Sequence, residues 1–140
     1  MTWRTAALAA VLCFCPPLAQ AAAVGLWYGQ DDEQVKGVLL QYLTLYRADG
    51  TYTAEFRHYD YCVLVGQWIE EGIWERDGKR MTAVTFESNG EKLEPPRVHV
   101  YEVESESFTL LNYRHLGTGI LFRERRVNVD FEFPACEPTS

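Results

Sequence analysis

The run Val38 to Arg47, Val-Leu-Leu-Gln-Tyr-Leu-Thr-Leu-Tyr-Arg, meets Ala48-Asp49-Gly50 and resumes as Thr51 to Tyr61, which opens Thr-Tyr-Thr-Ala-Glu-Phe. Two stretches rich in β-branched and aromatic residues, joined by an Asp-Gly turn, predict a β-hairpin. Glycine accepts the positive φ that so tight a turn demands. The same punctuation recurs downstream. Asp77-Gly78 separates Gln67–Arg76 from Arg80–Glu87, and Ser88-Asn89-Gly90 follows. Pro95-Pro96, which a sheet ladder excludes, leads into Arg97–Glu104. Phe108–Tyr113 comes next, and His115-Leu116-Gly117 turns the chain into Thr118–Arg125. Val127 to Phe133 alternates apolar and polar residues and predicts one more strand. The one helical prospect is the short polar stretch Asp31–Gly37. About eight or nine short antiparallel strands predict an all-β fold, an up-and-down barrel or a sandwich, and hairpins in succession without long crossovers favour a small up-and-down β-barrel.

The chain has 140 residues, with 13 Lys/Arg against 20 Asp/Glu and a formal net charge of −7. That is one domain, too short for a (β/α)8 barrel of about 250 residues. The acidity argues against nucleic acid, which needs a basic face. Residues 1–21 stand apart: Arg4 is their only charge, Ala6 to Phe14 is apolar, Pro16-Pro17 breaks the run, and Ala19-Gln20-Ala21 has the small-x-small pattern of a cleavage site. This reads as a secretory signal peptide (1–21) preceding a single domain (22–140), in a periplasmic or secreted protein. The apolar run falls short of the 20 or so residues that span a membrane. An uncleaved anchoring helix is the alternative. Cys13 and Cys15 depart with the signal, leaving Cys62 and Cys136, a pair that an oxidising compartment would bridge. Such a bond closes a loop of about 75 residues, worth about 4 kcal/mol in the chain-entropy picture.

Gly25-Leu26-Trp27 stands ahead of this strand meander. Together with Ala-Asp-Gly-Thr-Tyr-Thr-Ala-Glu-Phe at 48–56 and Glu-Gly-Ile-Trp-Glu-Arg-Asp-Gly-Lys-Arg-Met-Thr at 71–82, it resembles bacterial lipocalin-like (calycin) domains over most of 25–126. The resemblance implies a lipocalin-like barrel, with an Arg of the last strand stacked on the first-strand Trp27. Arg123 matches that closing position best and Arg125 second. The family's C-terminal helix and its Thr-Asp-Tyr-like motif have no counterpart here.

The three histidines, His58, His99 and His115, lack metal-site spacing, so no metal ligand set is expected. His58 shares strand parity with Tyr52 and Phe56, with Asp60 two residues on as its expected partner, while His115 reads as a solvated turn residue. The side His99 faces stays open. The acidic runs Asp31-Asp32-Glu33, Glu70-Glu71 and Glu102/Glu104/Glu106 read as solvated faces. No nucleophile elbow, free-thiol pair or phosphate loop is present, so no catalytic residue, cofactor or enzymatic activity is expected. Three Trp, eight Tyr and six Phe lie beyond residue 21. Tyr42, Phe56, His58, Trp68, Trp74 and Tyr101, spread over successive strands, are the candidates for a ligand-binding wall, with packing of the interior as the alternative. The expected function is binding of a small apolar ligand in the lumen without catalysis. The alternative is an acidic protein-binding module, an inhibitor or immunity factor for a basic protein partner. A homodimer through an exposed edge strand is a third possibility.

Overall fold

The computed structural model describes residues 18–31 and 35–137. Arg4, Cys13, Cys15, Pro16-Pro17 and the apolar run of the expected signal segment lie outside them. After a short helix α1 (Leu18–Ala23), eight strands follow: β1 (Gly25–Asp31), β2 (Val38–Tyr46), β3 (Thr51–Asp60), β4 (Val63–Asp77), β5 (Arg80–Ser88), β6 (Glu91–Glu106), β7 (Leu110–His115) and β8 (Leu121–Val127). Each pairs antiparallel with the next, and β8 pairs back onto β1, closing an up-and-down barrel. The Asp49-Gly50, Asp77-Gly78 and Asn89-Gly90 turns all join neighbouring strands. Asn89 (φ 50°) and Gly90 (φ 78°) both take the left-handed conformation that a two-residue hairpin turn needs.

Period-two alternation sorts side chains between lumen and exterior. On β2, Tyr42, Thr44 and Tyr46 point inward and are buried, and on β3 Tyr52 and Ala54 do the same. Inward glycines make room for the large rings. A Cβ on Gly29 would run into the Tyr42 ring, and one on Gly72 would meet the Val84 carbonyl oxygen and stand 2.8 Å from the Tyr52 ring. The Pro95-Pro96 stretch interrupts the β5–β6 ladder, which jumps from Glu87↔Lys92 to Thr85↔Arg97. β6 thus begins earlier than the sequence suggests and carries its prolines on a bulge, where no ladder hydrogen bond is needed.

One end of the barrel is plugged. Trp27, Trp74, Met81, Val103 and Leu111 form its floor, each 3% exposed or less. α1 caps this end: Ala23 is buried in the floor and its carbonyl accepts a hydrogen bond from Trp27 Nε1 at 2.8 Å. The cation over Trp27 is Arg126, with its guanidinium 4.4 Å from the indole centroid and 4.7 Å from that of Phe108. Its three nitrogens donate to the carbonyls of Val24 (2.6 Å), Ala22 (2.7 Å) and Phe108 (2.7 Å). Arg123 and Arg125, the expected candidates, occupy the opposite parity of β8 and face outward. Phe122, Glu124 and Arg126 share the inward face, so only Arg126 reaches the indole.

Further expectations are corrected. Val127 to Phe133 forms no ninth strand, because β8 is already paired with β7 and β1 and the closed barrel offers no edge. Residues 128–137 instead run as a strap over the outside of β1, β2 and β3. Phe131 and Phe133 pack on Tyr28 at 4.8 and 6.0 Å, and Arg57 stands 4.1 Å over Phe133. Gln41 Nε2 donates to the Pro134 carbonyl at 2.9 Å, and the Cys62–Cys136 disulfide staples the strap's end to the β3–β4 turn. Closure also removes the free edge through which a homodimer was expected. Asp31 ends β1 and 35–37 form a bend and turn, so the described part of Asp31–Gly37 is not helical, and residues 32–34 lie outside the described ones.

Candidate functional site: the barrel lumen

Above the plugged floor lies a cavity of about 240 Å³, lined by inward residues of β2 to β8. At about 30 Å³ per molecule that is room for about eight waters, the size of a single-ring compound with a short substituent. Its wall is aromatic. Phe56 and Trp68 stack at 5.0 Å with 11° between their planes, and Tyr113 and Phe122 stack at 5.3 Å with the same angle. Tyr101 meets Phe122 edge-on at 5.9 Å, as does Tyr42 at 5.7 Å. Ala54 and Ala83, small residues among large ones, leave the space open.

Of the six residues expected on a ligand wall, Tyr42, Phe56, Trp68 and Tyr101 line this cavity. Trp74 does not: it lies beneath, its ring 4.9 Å from that of Tyr46, and belongs to the floor. Its position near the turn into β5 decides this, since that turn sits at the plugged end. His58 has the inward parity but stands beyond the cavity at the mouth, where its Cβ faces Gly66. No hydrogen bond joins it to Asp60, which is exposed, because Asp60 ends β3 at the turn.

The lumen also holds polar groups that the aromatic pattern did not suggest. Tyr52 and Thr85 share a buried hydroxyl–hydroxyl hydrogen bond of 2.5 Å. At the mouth, Glu70 on β4 faces Arg97 on β6, with Oε1 to NH1 3.4 Å. Burial pushes the Glu70 carboxyl up, against the opposing pull of Arg97. His99, inward and half-buried, lies 3.1 Å from His115, Nδ1 to Nε2. Burial, then His115 and Arg97, push the His99 imidazole down, favouring its neutral form. His115 is thus not a solvated turn residue: it ends β7 and packs on His99 and Tyr101. The signal was available, because once Tyr101 is inward, His99 and Arg97 follow at steps of two.

Deeper still is a buried acid. Glu124 is 1% exposed, and its Oε1 accepts a 2.7 Å hydrogen bond from the Tyr113 hydroxyl while Oε2 has no partner. Desolvation raises its pKa to about 7, opposed by the Tyr113 bond. Tyr46 and Tyr113, wholly buried beside it, are raised as well, first by burial and then by Glu124. Sequence reading passed over Glu124 because Arg123, Arg125 and Arg126 around it look like a solvated basic end.

Among the described residues no cluster of His, Cys, Asp or Glu is arranged to hold a metal ion, and no helix is long and apolar enough to cross a membrane. No protein-family model matches the chain, and no curated protein matches it in sequence.

Proposed function

We propose that this protein is a lipocalin-like carrier that binds a small, largely apolar molecule in its lumen without chemical change, in an extracytoplasmic compartment. The observation that carries the proposal is the aromatic cavity of about 240 Å³, held open above a floor sealed by Trp27 and Arg126. Pockets that are concave, preformed and mostly apolar, with a few placed polar groups, are what small-molecule sites look like. The stacked Arg and Trp at the sealed end match the closing pair that the lipocalin resemblance implies, and the Cys62–Cys136 bond suits an oxidising compartment. An open lumen favours this reading over the acidic protein-binding module, which would leave the interior filled.

The test is thermal unfolding with toluene, indole, decanoate and palmitate. Single-ring compounds fit the volume and raise the melting temperature saturably, whereas palmitate exceeds it. A melting temperature indifferent to every compound in the set defeats the proposal.

A further inference from the structure

The hydrogen bonds around His99 fix more than its position. His115 Nδ1 accepts two backbone N–H bonds, from Gly117 at 3.0 Å and Thr118 at 2.9 Å, so it carries no proton. Its proton therefore sits on Nε2, which donates to His99 Nδ1. That leaves the proton of His99 on Nε2, with no protein acceptor among the described residues, on a ring that lines the cavity. The β7–β8 turn thus sets, through two imidazoles, a hydrogen-bond donor at the lumen mouth.

Arg97 stands two residues before His99 on the same inward face and also lines the cavity. Its one ion-pair contact, with Glu70 through NH1, is long at 3.4 Å, and its side chain is half exposed. Nε and NH2 have no acceptor among the described residues, and a guanidinium edge suits two oxygens held in a plane. Arg97 meets Glu70, Glu70 is hydrogen-bonded to Trp68, and Trp68 stacks on Phe56. Apolar wall and paired donors thus border the same cavity.

We propose that the lumen ligand is a small aromatic carboxylate, its ring against Phe56 and Trp68 and its carboxylate on Arg97 and His99 Nε2–H. This rests on the lumen being a binding site and narrows its occupant. Glu70 sets the preference within the class: it repels a carboxylate placed near it, so the acid must sit on the His99 side of Arg97.

The test uses benzoate, toluene and benzylamine, which share a ring and differ in their polar group, followed by tryptophan fluorescence and calorimetry on the unmodified protein. Benzoate binds at least about tenfold more tightly than toluene, and benzylamine does not bind. Arg97→Gln and His99→Phe each weaken benzoate about tenfold more than they weaken toluene, because both residues line the cavity but their N–H groups serve only the carboxylate. Arg97→Lys keeps the charge but loses the bidentate edge, and falls between. Toluene binding as tightly as benzoate, or the variants weakening both alike, overturns the carboxylate assignment and leaves the apolar carrier standing. Preference for benzylamine also overturns it and makes Glu70 the anchor. Absence of binding by all three overturns the aromatic carboxylate, and the apolar carrier then rests on the response to indole and decanoate.

Discussion

Replacing Glu124 by Gln makes the protein more stable above neutral pH and leaves it unchanged in acid. The carboxyl is 1% exposed, one oxygen is bonded to Tyr113 at 2.7 Å and the other has no partner. Its pKa rises from 4.5 to about 7 on folding. For an acid raised in this way, the folded state holds the proton more tightly than the unfolded chain. Below pH 4.5 both states are protonated and there is no penalty. Between pH 4.5 and about 7 only the unfolded chain has released its proton, so stability falls as pH climbs. Above that window the loss is constant, about 3 kcal/mol. The substituted amide keeps an oxygen to accept the Tyr113 hydroxyl and has no charge to desolvate. Urea unfolding of both proteins at about pH 4, 6 and 8 measures the difference. Other carboxylates cancel in that comparison, and the neighbouring tyrosines, all raised, stay neutral throughout. The variant equals the parent at the lowest pH and exceeds it by about 3 kcal/mol at the highest, on the order of 10 °C in melting temperature. A difference that does not change with pH, or a variant less stable at pH 8, refutes the reasoning.

Three further outcomes follow from particular contacts. Arg126→Ala removes three bonds to carbonyls and stacking on two rings, and costs about 3 kcal/mol in chemical denaturation, while Arg123→Ala, on the outer face, stays within about 0.5 kcal/mol. Gly29→Ala drives a methyl into the Tyr42 ring and lowers stability by about 1 to 3 kcal/mol in thermal unfolding. Cys136→Ser frees the strap, costs up to about 4 kcal/mol, and reduces the near-ultraviolet dichroism of Tyr28, whose aromatic neighbours Phe131 and Phe133 both lie on it.

How much of this was legible in the sequence depends on which physical rule governs each part. The strand meander was readable because turn chemistry is local: Asp49-Gly50, Asp77-Gly78 and Asn89-Gly90 need no tertiary information to mark a reversal. The cysteine pair was readable from count, once residues 1–21 are set aside as an expected signal. The fate of Val127–Phe133 was not, because alternation shows that one face is apolar but not whether a free edge exists to receive a strand. Phe131 and Phe133 do face the same way, yet toward Tyr28 on the barrel's outside. Choosing among Arg123, Arg125 and Arg126 required the register of β8, which the inward Phe122 supplies and the charge cluster conceals. The aromatic wall was largely legible, with Tyr42, Phe56, Trp68 and Tyr101 in place, whereas Trp74 belongs to the floor because depth along a barrel is set by the strand stagger. Arg97 was passed over, Glu70 was read as part of a solvated face and the side of His99 stayed open, because a polar residue on an inward face looks in sequence like one on an outward face.

The central claim is that the cavity above the Trp27 floor receives a ligand, and a plugged lumen tests it most directly. Ala83 lines the cavity, and Ala83→Phe puts a ring where the ligand would lie. Toluene titrated into the parent and the plugged variant, followed by tryptophan fluorescence, gives a saturable change in the parent and none in a variant that still unfolds cooperatively. Equal responses in both proteins, or none in the parent, contradict the account.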